Sequence, residues 1–432
     1  MPFALTPRRL RPSLALAAAL LLWTGCDSSE PNFVTPDPPG FGENENVVPA
    51  FDRDGDEVGQ VSLTRLFAEP TQQELDNALA AVSGRDHGVY DYQLVGSAPT
   101  PYGTLHVVSH TVRAEASAPT HYGAIHVPNG ADGQPASNLP VLVYNHGGDS
   151  GVNPIEAFAV LGLFDPETEQ FVPDPDPGAV AFASGVVVVI PSFRSEELET
   201  LGLGLPQNSY TSTGSPSPWD YDVDDAITLT NVALQEFDEA TDESRIGTLG
   251  LSRGGAVSLL MAVRDSRVKV VTDFFGPTDF LEDRFQLLAT TLLAGPNQPP
   301  SFPTYNQALS LPGADFILDA LLLPLSQAGP NQTAYTRARQ AILFRSAAYY
   351  TELMPSLQVH HHYRDAVVNW EQSRNLNLQR EAEPNMGAYD FNLYGEPPTS
   401  IADLSPVFHN PAAFRESIPA TIQFHFENLI GN

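Results

Sequence analysis

The spacing of apolar and polar positions changes character several times along this chain. A continuous apolar run, Leu14 to Trp23, follows Arg8, Arg9 and Arg11. Residues 27 to 60 then show no apolar periodicity and hold Pro31, Pro36, Pro38, Pro39 and Pro49 among several acids, the pattern of a flexible tether. From Leu63 to Val82 the spacing of Leu75, Leu79 and Val82 predicts an amphipathic helix. Alternating or β-branched runs at Tyr90 to Leu94, Leu105 to Val112 and Tyr122 to Val127 predict strands separated by proline and glycine. After them come short, continuously apolar runs: Leu139 to Tyr144, Val186 to Ile190, Ile246 to Leu251, Val268 to Phe274 and Leu357 to His360. Such runs are what parallel strands buried on both faces require. Helical patterns lie between them, as at Val223 to Phe237 and Gly255 to Arg264, so the fold expected is α/β, a mostly parallel central sheet flanked by helices.

Composition adjusts this picture at the amino terminus and at the surface. The three arginines and the apolar run, too short to span a membrane, read as an export signal over residues 1–25. Leu22-Trp23-Thr24-Gly25-Cys26 resembles the lipobox of bacterial lipoproteins, with Trp23 in place of the usual aliphatic residue. Cys26 is the only cysteine, which excludes an internal disulfide and fits a lipidated mature terminus, the alternative being an incidental cysteine. The expected domains are then a signal peptide (1–25), a lipid-anchored linker (26–60) and a globular α/β domain (61–432), with an exported protein held to a bacterial envelope membrane. The 432 residues include 52 acidic and 21 basic ones, a formal net charge of -31 that repels nucleic acid. Such a surface suits a salt-rich habitat and equally an acidic protein from a GC-rich genome. Asp52, Asp54 and Asp56 lack the spacing of an EF-hand and read as a solvated acidic turn.

A serine hydroxyl becomes a useful nucleophile only when a base takes its proton and a third group orients that base. Ser252 sits in Gly250-Leu251-Ser252-Arg253-Gly254, between the strand ending at Leu251 and a helix running through Leu259 and Leu260. Glycines on both sides suit a strained strand-to-helix turn, whereas a plain helix-capping serine is the bland alternative. A tetrahedral intermediate also needs backbone N–H donors for its oxyanion. Arg253 supplies one, and Asn145-His146-Gly147-Gly148, at the end of an earlier strand, supplies the other through Gly147 or next Gly148.

With these pieces the sequence resembles the α/β-hydrolase superfamily, nearest the prolyl oligopeptidase catalytic domain and the dienelactone-hydrolase-like esterases. The likeness covers most of residues 120–430 and rests on Arg245-Ile246-Gly247 leading into Gly250 to Gly255, on Asp222 to Ala226, and on Met354 to Leu376. In the last segment the family carries its catalytic aspartate, which the resemblance places at Asp365. The family usually has His-Gly just before it, and here His362 replaces the glycine. Asp279 competes for the same role, because some relatives place the acid after an earlier strand. The resemblance puts the base at His409, before a final helix expected over Ala412 to Leu429, while His425 inside that helix reads as a packing residue. His360, His361 and His362 cannot all reach one metal ion from a strand, since neighbours point to opposite faces. No cofactor or metal is expected.

Between Phe280 and Leu353 lies a leucine-rich insertion, expected as a helical cap over about 281–350 that suits an acyl or aryl group. The other possibility is that its leucines pack only against the sheet. The expected activity is ester hydrolysis through an acyl-serine on a small-molecule substrate, with peptide hydrolysis as the alternative and a non-catalytic binding lipoprotein as a third. No protein partner is expected.

Overall fold

The computed structural model describes residues 40–431 apart from 166–167, 169, 298–303, 312, 384–385, 401–402 and 411–416. The export run, Cys26 and the first part of the expected linker lie outside the described residues. The linker's second part is corrected by the structure: β1 (Val47–Phe51) and β2 (Glu57–Ser62) form an antiparallel hairpin. Ala50 and Val61 are fully buried in one core with Leu292, Leu293, Leu318 and Leu322 of the insertion. At Gly59 a Cβ would come within 2.3 Å of the Ser326 carbonyl oxygen, which is how closely the hairpin approaches that insertion. In the turn, Asp52 Oδ1 accepts from the N–H groups of Asp54 and Asp56, at 3.0 and 2.9 Å.

The expected helix from Leu63 to Val82 is two helices, α1 (Leu63–Leu66) and α2 (Gln72–Val82). Pro70 cannot donate and disfavours helix in the residue before it, and Thr71 with Glu74 then forms a capping box that restarts the helix.

The central sheet has nine strands: β3 (Tyr90–Thr100), β4 (Gly103–Thr111), β5 (Thr120–Pro128), β6 (Leu139–Asn145), β7 (Val187–Pro191), β8 (Thr241–Leu251), β9 (Val268–Phe274), β10 (Ser356–His362) and β11 (Tyr389–Tyr394). Their spatial order is β3-β4-β5-β7-β6-β8-β9-β10-β11. The pairings among β3, β4, β5 and β7 are antiparallel, and from β7 to β11 all are parallel. β11 had no sequence signal, since its residues are half-buried and mix Asp390 and Asn392 with aromatics.

Within β6 and β7 successive side chains serve opposite cores, Val141, Val143, Val187 and Val189 on one face and Leu142, Tyr144, Val188 and Ile190 on the other. The first face is covered by α4 (Tyr221–Glu236), α5 (Arg253–Arg264) and the insertion, the second by α3 (Pro177–Ala183) and α8 (Ser417–His425). The chain leaves β6 toward β7 on one side and crosses back to β8 on the other, so Asn145 ends up beside Gly250. A reversal of this kind opens a crevice at the carboxyl ends of the strands.

The insertion is helical, including α6 (Asp283–Ala294) and α7 (Gln332–Leu343). Its buried leucines, however, belong to the core shared with the hairpin and α5, because that is where water is excluded from them. The expectation that these leucines face a substrate is therefore corrected.

Candidate active site

Ser252 occupies the turn between β8 and α5 with φ 54° and ψ -120°, a backbone conformation that costs a non-glycine residue on the order of 1–3 kcal/mol and persists only where its surroundings enforce it. The enforcement is visible in its neighbours. A Cβ on Gly250 would come within 2.0 Å of the Gly254 carbonyl oxygen, and one on Gly254 within 2.0 Å of the Asn145 carbonyl oxygen. The Ser252 N–H donates to the Phe274 carbonyl at 2.8 Å, holding the turn to β9.

The strain lifts the Ser252 hydroxyl toward two loops that leave later strands. His409 Nε2 lies 2.8 Å from Ser252 Oγ, and His409 Nδ1 lies 2.7 Å from Asp365 Oδ2. The Asp365 loop follows β10 and closes on itself, Oδ1 accepting from the N–H groups of Val367 and Val368 at 2.7 and 3.1 Å. A bridge between Asp365 and Ser405 ties the His409 loop to it. Burial pushes the Asp365 carboxyl up, but hydrogen bonds from His361 and His409 outweigh it and bring its pKa down to about 2, so it stays ionised beside the imidazole. The ring of Phe275 lies 4.4 Å from that of His409. His362, where the family usually has glycine, stacks flat on Phe408 at 4.0 Å and so supports the residue next to His409.

The loop expected to supply oxyanion donors approaches from β6. Gly147 runs so close to the elbow that a Cβ there would meet the Leu251 oxygen at 3.1 Å and Ser252 Cβ at 3.3 Å, and Gly148 has φ 76°. Arg253 opens α5, so its N–H has no acceptor within the helix. Its side chain has a role the sequence did not reveal. The guanidinium is buried, donates to Asp222 Oδ2 at 2.7 Å and to the Gly148 carbonyl at 3.1 Å, and pairs with Glu196. His146 Nε2 faces Glu196 Oε2 at 3.3 Å. Asp222 had drawn notice only as the acidic start of a helix. Glu196 gave no signal, since one glutamate in Ser195-Glu196-Glu197 looks like surface.

The rival candidates lie elsewhere. Asp279 accepts from Asn375 Nδ2 at 3.1 Å and from the Leu281 N–H at 2.9 Å. His425 is buried against Thr272, 3.0 Å from its hydroxyl. His360 contacts Tyr394 and Thr421, while His361 contacts Ser373, the Val368 carbonyl and, at 3.5 Å, Asp365. An open polar cavity of about 760 Å³, lined by Asn138, Asp242, Arg245 and Lys269, lies at the opposite, amino end of the parallel strands. It holds none of these residues.

Neither a family model nor a curated protein sequence matches the chain. Among solved structures it is similar to a puromycin-hydrolysing peptidase of Mycobacterium tuberculosis, at 16% identity and a TM-score of 0.45 over 77% of this chain and 40% of that one. The chain thus spans less than half the peptidase's length. It is similar to acetyl xylan esterase 1 of a Thermoanaerobacterium species, at 15% identity and a TM-score of 0.43 over 78% and 92%. It is also similar to a rice cell-wall-degrading esterase of Xanthomonas oryzae, at 14% identity and a TM-score of 0.45 over 77% and 97%. The sheet order, with its reversal between β6 and β8, and the strained serine at the carboxyl end of β8 give this chain the α/β-hydrolase fold.

Proposed function

We propose that this protein is a serine hydrolase that cleaves carboxylic esters through an acyl-serine intermediate. The observation that carries the reading is the unbroken chain from Ser252 Oγ through His409 to Asp365, mounted on a strained elbow. His409 takes the serine proton as Oγ attacks the ester carbonyl, and Asp365 holds the ring in the tautomer with hydrogen on Nδ1. The N–H groups of Gly147 or Gly148 and of Arg253 receive the oxyanion. His409 then hands its proton to the departing alcohol, and water repeats the cycle on the acyl-serine.

An ester is favoured over a peptide because Glu196, Asp222 and Asp365, three buried carboxylates around Ser252, are each tied to an arginine or a histidine. None of the three is turned out to bind a peptide's ammonium terminus. The test is labelling by a fluorophosphonate probe, followed by turnover of aryl esters and of peptide anilides. Labelling that vanishes in Ser252→Ala, with faster ester than anilide turnover, is expected. Undiminished labelling of the variant would remove Ser252 from the mechanism.

Export and anchoring through Cys26 complete the proposal and rest on the sequence at the amino terminus. Incorporation of labelled palmitate that is lost in Cys26→Ser, together with release of the protein from the membrane fraction, is the outcome that supports it.

A further inference from the structure

The loop that would receive the oxyanion carries a hydrogen-bonding puzzle. His146 Nδ1 lies 2.9 Å from the Gly147 carbonyl oxygen, which can only accept, so Nδ1 carries the ring hydrogen and Nε2 of the neutral ring is bare. Yet Nε2 faces a carboxylate oxygen, Glu196 Oε2, at 3.3 Å, and both atoms are buried without another hydrogen-bond partner among the described residues. Two bare acceptors at that separation repel. The charges around them are equally one-sided: Glu196 (after β7) and Asp222 (α4) converge on a single cation, Arg253 (α5), while Asp149 of the oxyanion loop adds negative potential. The ring of Phe193 stacks on His146 at 4.5 Å and closes its apolar side.

We infer that the His146–Glu196 pair holds one extra proton, carried as a carboxylic acid on Glu196 that donates to His146 Nε2, and that both are positioning residues for the oxyanion loop. Burial accounts for its location: it pushes the Glu196 carboxyl up to about 7 and the His146 imidazolium down to about 3, so the acid keeps the proton. The link to chemistry is geometric. The Gly147 carbonyl and the Gly148 N–H belong to one trans peptide unit and point in opposite directions. By donating to that carbonyl, His146 fixes the direction of a candidate oxyanion donor. When Glu196 loses its proton to solvent, the ring hydrogen moves from Nδ1 to Nε2 to bond the carboxylate. Nδ1 is then bare against the Gly147 oxygen, and the peptide unit is released.

This inference rests on the hydrolase reading, and two measurements separate them. The first is the pH profile of kcat/KM for a small aryl ester from pH 6 to 9, each protein normalised to its own pH 6 value. Wild type is expected to lose tenfold or more, since loss of one oxyanion donor costs roughly 10²–10³-fold. Glu196→Gln, whose amide N–H donates to Nε2 at every pH, is expected to show no such alkaline loss, and an equal alkaline loss in both proteins overturns the inference. The second is ¹⁵N NMR of the His146 ring in Ser252→Ala, which needs no turnover. A tautomer change near pH 7 supports the proton pair even if no ester is hydrolysed, an outcome that would sink only the hydrolase reading. A tautomer constant from pH 6 to 9 sinks the pair.

Discussion

Two of the buried ion clusters at the amino end of α4 have charge imbalances of opposite sign. On one side Asp222 meets Arg253 together with Glu196, two carboxylates on one guanidinium. On the other, Asp220 and Asp224, a helical turn apart, face Arg85, Arg264 and Arg345, three guanidiniums on two carboxylates. Burial acts on both, and the imbalance decides which group yields. Where cations are scarce, the Glu196 carboxyl is driven up to about 7 by burial and by Asp222 against the pull of Arg253. Where they abound, burial is outweighed at Asp220, held below its usual range by Arg345, Arg85 and Arg264, and Arg345 itself falls to about 10 through burial with Arg264 and Arg85 nearby. The cation-poor cluster touches the loop proposed to hold the oxyanion through Gly148. The cation-rich one binds the insertion and the segment before β3 to the helix, with Arg345 also donating to the Pro218 and Ala341 carbonyls. One side is placed to serve the reaction, the other to hold the fold.

Ser252→Ala should break this contrast most sharply on the reaction side, lowering ester turnover by on the order of 10⁴-fold or more while leaving the urea midpoint unmoved. Next in size, Arg345→Met strips the fold side of a buried cation and leaves carbonyls unpaired. A loss of about 3 kcal/mol is expected from urea unfolding, with turnover per active-site-titrated molecule within about twofold of wild type. The reverse pattern, stability intact and turnover lost, would abolish the division of labour.

Acid titration sharpens the comparison further. Asp365, with a folded pKa of about 2, contributes stability that is present above its unfolded value of about 4 and disappears as pH falls from there to about 2, on the order of 2 kcal/mol. Glu196 has the opposite sign: its ionisation opposes folding as pH rises from about 4.5 through about 7. Unfolding free energies from pH 2 to 5 should therefore show a shallower slope in Asp365→Asn than in wild type. Smallest of all, Lys269→Ala should stay within about 0.5 kcal/mol and leave turnover unchanged, because Lys269 is exposed and its Nζ, among the described residues, hydrogen-bonds the Ser266 carbonyl alone, 3.0 Å away. A large loss of turnover there would move attention to the cavity at the amino ends of the strands.

Much of the site was legible because the signals are local. Gly250 and Gly254 announce a turn in which no Cβ fits, and the apolar runs of β6, β8, β9 and β10 are buried whatever covers them. Asp365 and His409 came from the resemblance to a known family, and the structure brings both to Ser252. The hairpin β1–β2 stayed hidden because it owes its burial to insertion leucines more than two hundred residues later, so its own sequence reads as tether. The insertion misled for the same reason in reverse, since apolar residues show that a surface is covered and not by what.

What the sequence determined by itself is therefore the sheet, the elbow and the serine at its tip, features governed by steric limits and hydrophobic pattern within a few residues. Only the tertiary structure decided that Arg253 lies between Asp222 and Glu196, and that His146 meets Glu196 acceptor to acceptor. Those relations join residues from four separate segments, and the protonation of Glu196 and His146 depends on the burial and charge that the assembly imposes.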